Sequence, residues 1–153
     1  MESPRPDPAQ LALLHRLAGA WSGPERNADP TGAAAASVGH GDYRVALDGG
    51  ALIQDYRQER NGTTVFRGHG VFLVEPGSDQ VLWWWFDSLG YPAAPARGRW
   101  HGDSLCFDQV TPRGESRYRY ELDGERHRFV IENRFPGETD FAEFMRGDYT
   151  RQP

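Results

Sequence analysis

The sequence contains no lysine: all 17 of its basic residues are arginine. A phosphate-cradling loop of the Gly-Lys-Ser/Thr type is therefore excluded, and with it nucleotide chemistry of that kind. There is a single cysteine, Cys106, which can form neither an internal disulfide nor a Cys-Xaa-Xaa-Cys redox or zinc pair. Its place in the alternating run SLCFDQV predicts an inert, half-buried thiol rather than a nucleophile. No apolar run approaches the ~18 residues that span a bilayer. The opening MESPRPDPAQ lacks the basic flank and apolar stretch of a signal peptide. These absences predict a soluble, cytoplasmic protein with no membrane partner.

There is no excess of positive charge either. The net charge is -5 and the pI near 5.5, and the arginines are scattered, so a nucleic-acid partner, which needs clustered cations, is not expected. The five histidines form neither a zinc helix motif nor a His-Xaa-His strand pair, so no metal and no other cofactor is expected. A Gly-Xaa-Ser-Xaa-Gly nucleophile elbow is also missing.

What is present fits one domain over residues 1–153, with 1–7 expected to be flexible. The only helix signal comes first. Asp7 can cap it, Pro8 suits its first position, and Leu11, Leu14, Leu17 and Ala18 recur on one face until Gly19 offers a stop. His15 is expected at its surface end. Beyond Trp21, turn signals (DGG 48–50, NG 61–62, EPGSD 75–79, HGD 101–103, PRG 112–114, DGE 123–125, PGE 136–138) separate runs rich in Val, Tyr, Phe, Trp and Thr. They predict strands near 41–47, 51–60, 63–74, 80–88, 96–100, 104–111, 115–122, 126–135 and 140–150. Regular hairpins with one short N-terminal helix predict a mainly β fold, an antiparallel barrel, because closure removes unpaired edges. Glycines in ASVGHG and RGHG predict bulges or bends. Residues 24–36 and 90–98 read as loops, the second placed to serve as a lid or portal.

The run VLWWWFDS (81–88) is apolar on both faces: Val81, Trp83, Trp85 and Asp87 point one way, Leu82, Trp84 and Phe86 the other. The outer face needs cover, which the leucine helix and a second subunit would supply, so a homodimer is expected.

Several landmarks together resemble a known family. Leu17-Ala18-Gly19-Ala20-Trp21-Ser22-Gly23 is similar to the opening of lipocalin-like, calycin-type barrels. The order Gly49-Gly50, Gly68-His69-Gly70, Trp85-Phe86-Asp87-Ser88, Gly98 with Asp103-Xaa-Leu105, and Tyr149-Thr150-Arg151 resembles a bacterial family, DUF1579, from about Leu11 to Arg151. The resemblance implies an antiparallel barrel with an interior cavity for a small apolar or amphipathic molecule, and no established reaction. Barrels of the broader type include carriers, a haem-binding subgroup and cyclising enzymes; the surroundings of His127 do not match the haem ligand of that subgroup.

The resemblance also places Trp85 and Asp87 on the cavity side, which brings Trp83 with them. Trp83, Trp85, Asp87, His69, Tyr118 and Tyr120 are then the expected ligand-binding residues for a small hydrophobic or aromatic molecule, flat walls with a few orienting polar groups. Arg117 and Arg119 would point to solvent. Two alternatives use the same barrel. In one, His69 and Asp87 both face inward as the acid–base pair of a cofactor-free isomerase or cyclase. In the other the lumen is filled with side chains, Asp87 caps a turn, and the protein is a dimeric structural or interaction module.

Overall fold

A computed structural model describes residues 2–28 and 34–153, Ala34 by its backbone alone. Helix α1 (Pro8–His15) is followed by ten strands: β1 (Gly19–Ala28), β2 (Ala34–Ala46), β3 (Ala51–Arg60), β4 (Thr63–Val74), β5 (Val81–Asp87), β6 (Ala96–His101), β7 (Ser104–Thr111), β8 (Gly114–Asp123), β9 (Arg126–Arg134) and β10 (Ala142–Arg151). Each strand pairs antiparallel with its neighbour in sequence, and β10 returns to β1 to close the barrel. The expected mainly β barrel with one N-terminal helix is the fold.

The turn signals fall between strands as expected, and the glycines that carry them take the left-handed conformation at Gly62, Gly77, Gly102 and Gly124, which glycine adopts without steric cost. The stretch 24–36 departs from expectation. Residues 24–28 continue β1 and 34–36 begin β2, paired from Pro24↔Val38 to Ala28↔Ala34, because cross-strand pairing overrides the low β-propensity of proline, asparagine and alanine. The rest of the expected loop, 29–33, lies outside the described residues.

Strand glycines are likewise not bulges. The register shifts sit elsewhere, at Gln58/Glu59 and Glu143/Met145. A side chain on Gly68 would run into the Trp85 ring, and one on Gly39 into the Glu25 carboxylate. Close approach of an inner side chain to the backbone is what these positions require.

Helix α1 starts as its sequence dictates, with Asp7 Oδ1 accepting from the Ala9 amide at 2.9 Å. It does not cover the outer face of β5. Leu14 and Leu17, both fully buried, enter one end of the barrel and join Trp21, Leu52, Phe72, Val81, Leu105, Phe107, Tyr120 and Leu122 in the core. Most of those strand residues adjoin the turns at that end. Polar bonds hold the plug in place. Trp21 Nε1 donates to Leu17 O (2.8 Å), Arg151 Nη2 to Arg16 O (3.0 Å), and Arg16 pairs with Asp103 (2.9 Å). His15, expected at the surface, is half-buried and donates from Nε2 to Gly49 O at 3.0 Å. Among the described residues no helix is long and apolar enough to cross a membrane.

Removing a buried leucine loses transfer free energy and leaves a cavity, together about 2–5 kcal/mol. Leu17→Ala is expected to lower the unfolding free energy by about that amount in urea titration, whereas Leu11→Ala, at a partly exposed position, costs less.

Candidate functional site

The alternation along β5 decides which side chains enter the lumen. Val81 and Trp83 are buried, Trp85 is half-buried, and on the other face Phe86 is 48 % exposed. Trp83 stacks on Phe72 (centroids 5.4 Å, planes at 6°) and meets Tyr118 (5.1 Å) and Trp85 (5.9 Å) edge-on. These geometries suit the ring quadrupoles. Trp85 Nε1 donates to Asp87 Oδ2 (2.9 Å), while Asp87 Oδ1 accepts from the Leu89 amide (2.9 Å). One carboxylate thus orients an inner indole and caps the turn that follows.

The lumen is filled at the helix end and hollow at the other. A cavity of about 560 Å³ opens there, lined by the apolar Trp83, Trp85, Tyr118, Phe129 and Ile131 and by the polar Asn27, Gln54, Tyr56, Gln58 and Tyr149. Arg60, Asp87, Leu89, Arg113 and residues 91–94 stand at the rim. Arg113 lies over the Tyr91 ring at 4.1 Å; of the 90–98 segment expected as a loop, residues 91–94 border the opening, while 96–98 belong to β6.

Of the residues singled out from the sequence, Trp83, Trp85, Asp87 and Tyr118 line this cavity. Burial raises the phenol pKa of Tyr118 above its ordinary value. Tyr120 shares their orientation but is fully buried in the core beneath, so it does not face the hollow. His69 is on the outside. It pairs across the ladder with Phe86, an outward residue, and its Nδ1 hydrogen-bonds Asp55 at 2.7 Å. Arg44 and His69 hold the Asp55 carboxyl below the usual carboxylate range. The expected inward pairing of His69 with Asp87 is therefore not formed. Arg117 and Arg119 point outward, bridged to Asp108 (3.6 Å) and Glu121 (2.8 Å). Burial raises the Cys106 thiol pKa, which disfavours its reactive thiolate. Among the described residues no three His, Cys, Asp or Glu side chains gather as a metal site.

The sequence reading missed the polar side of the cavity. Glu25, 2 % exposed, accepts at Oε1 from Ser37 Oγ (2.8 Å) and Gln58 Nε2 (3.2 Å), and at Oε2 from the hydroxyls of Tyr56 (2.7 Å) and Tyr149 (2.5 Å). Burial, then the Glu25 charge, drives both phenol pKa values up. Deeper still, His127 is 3 % exposed and lies edge-on to Trp21 (4.4 Å) and beside Tyr149 (5.0 Å). Desolvation, then the Arg151 charge, pushes its pKa down to about 3, so near neutral pH the imidazole is uncharged. A signal for Glu25 did exist: it lies four residues beyond Trp21, on the same strand parity.

The sequence profile of a family described as "Protein of unknown function (DUF1579)" matches residues 7–151. The chain belongs to the DUF1579 family. No curated protein matches it in sequence. Two solved structures share the fold of this DUF1579 barrel. Rv2717c from M. tuberculosis superposes with a TM-score of 0.76 at 16% identity, over 97% of this chain and 100% of that one. The S-type phycobiliprotein lyase CPES from Guillardia theta gives 0.68 at 8% identity, over 93% and 92%.

The buried imidazole makes the stability of this DUF1579 barrel depend on pH. Unfolding restores an ordinary histidine pKa near 6.5, so below that value the unfolded chain takes up a proton that folded His127 refuses until about 3. Stability contributed above pH 6.5 is lost as pH falls. The expected slope approaches about 1.4 kcal/mol per pH unit between pH 6 and 5. His127→Gln is expected to flatten it, as read by urea denaturation at pH 7, 6 and 5.

Proposed function

We propose that the barrel binds a small, flat, amphipathic molecule, with its ring system against Trp83, Trp85 and Tyr118 and its polar edge toward Asn27, Gln54 and Gln58. One observation carries this reading: those aromatic and polar side chains line a single hollow of about 560 Å³, within the range that takes a small organic ligand. Aromatic walls offer a large apolar contact with few torsions to freeze, and fixed amide and phenol groups orient what lies between them. A barrel serving only as a scaffold would gain stability by filling this space, since close packing is the normal condition of an interior.

The acid–base alternative loses its base, because His69 is engaged outside by Asp55, and among the described residues no other group stands in the same relation to Asp87. That a protein named as a phycobiliprotein lyase is built on the same barrel is in keeping with use of the interior. We place the protein in the cytoplasm on the strength of its lone free thiol.

Titration with planar aromatic metabolites, fatty acids and haem, followed by tryptophan emission and calorimetry, tests the reading. The parent is expected to bind planar aromatics. Trp85→Ala is expected to weaken that binding by about tenfold, the worth of one aromatic face against a flat ligand. A panel that gives neither emission change nor heat would remove the proposal.

A further inference from the structure

Glu25 is the buried charge that an aromatic hollow does not require. The directions of three of its hydrogen bonds follow from the chemistry and the other contacts of their partners. Ser37 Oγ accepts from Asn27 Nδ2 (2.8 Å), so its own proton goes to Glu25. The Tyr56 hydroxyl accepts from Gln58 Nε2 (3.3 Å), so its proton also goes to Glu25. Gln58 Nε2 can only donate. Four neutral donors thus surround the carboxyl, three of them with their protons committed to it, an arrangement that favours its ionised form. Its partners are all neutral, and among the described residues it forms no ion pair with an arginine or histidine.

A buried anion without a cation is costly, even with good hydrogen bonds. The structure nonetheless makes room for it: Gly39 leaves the carboxylate its space, and Gly147 leaves space for the Tyr149 phenol. Among the described residues the inner half of the barrel supplies no compensating charge. His127 is neutral, and Arg151, over the Trp21 ring at 4.2 Å, is bound by Glu125 at 2.9 Å and by backbone carbonyls. Tyr56, Gln58 and Tyr149, which hold Glu25, are themselves on the cavity surface. The cations of the lining, Arg60 and Arg113, stand at the rim. The lumen is thus negative within, while its mouth carries Arg60 and Arg113 against the one carboxylate of Asp87, and a charge as deeply buried as Glu25 is weakly screened.

We infer that the cavity selects a ligand whose ammonium or N–H-rich end lies inward against the Tyr56–Gln58–Tyr149 surface over Glu25, with any acidic group held at the rim by Arg60 and Arg113. The inference rests on the ligand-binding reading above and adds the ligand's charge and orientation. Free fatty acids, with a carboxylate and no N–H group, are then poor occupants of the inner half.

Three probes that share one ring system and differ in charge test it: 1-naphthylmethylamine, 1-naphthylmethanol and 1-naphthylacetate, by calorimetry near neutral pH. The amine is expected to bind roughly tenfold or more tightly than the alcohol, the size of an attraction acting across several ångströms at an effective dielectric of about 20. In Glu25→Gln the ratio of amine to carboxylate affinity is expected to fall by about tenfold, with the alcohol little changed and the thermal transition still cooperative. Equal shifts for amine and carboxylate in that variant would overturn the inference. Should the variant not fold, the ranking in the parent decides: a carboxylate that binds as tightly as the amine overturns the inference while leaving the cavity reading intact. Failure of all three probes to bind would overturn both.

Discussion

In a closed antiparallel barrel every second side chain of every strand must enter the same confined space, and no strand can turn away without breaking the ladders on both sides. Size at alternate positions is therefore the variable that decides whether the interior is solid or hollow. Glycines at 39, 68 and 70 lie under Glu25, Trp85 and Trp83, so large inner groups sit directly on bare backbone. The indoles lie across the wall, and the hollow is what remains above them. Were those glycines alanine, the rings would have to swing into the lumen and fill it.

The same constraint divides the interior into two functions. At one end Leu14 of α1 and Leu17, just beyond that helix, enter the barrel and the lumen becomes an ordinary core, where stability is generated. At the other end the aromatic and polar side chains meet at Trp85 and Tyr56 (ring centroids 6.0 Å) yet leave a hollow, and the packing energy that filling it would have contributed is forgone. The buried Glu25 network acts in the same direction, since neutral donors offset a charge less completely than a salt bridge with good geometry would. Both departures from a well-filled core occur in the hollow half, where binding would explain them.

Much of this is legible in the chain. Turn residues such as Asn61-Gly62 and Asp123-Gly124 mark the hairpins because few other residues accept their backbone angles, and the strict period of two places Trp83 and Trp85 on one face. Where the structure differs, the causes are physical. His69 follows Gly68 and reads as inward, yet the Val74↔Val81 hairpin register sets it opposite Phe86, and parity then sends it outward. Tyr120 has the inward parity but lies too near the plugged end, a depth that periodicity does not encode. Glu25 is hidden because Pro24 and the Asn-Ala-Asp-Pro stretch look like loop, while the pairing of β1 with both β2 and β10 makes it strand. Long-range pairing, not local preference, decides that segment.

One seam in the wall follows from the shortness of a single ladder. Strands β5 and β6 pair only over Val81–Trp83, and the chain between them carries Pro92 and Pro95, which have no amide hydrogen to offer. Past Trp83 the staves at this place are not laced together. There the wall beside Trp85 is closed by the 88–95 segment alone, held by the bond from Gln109 Nε2 to Ala94 O (2.9 Å), so this stretch is fastened by side chains and not by rungs of the ladder.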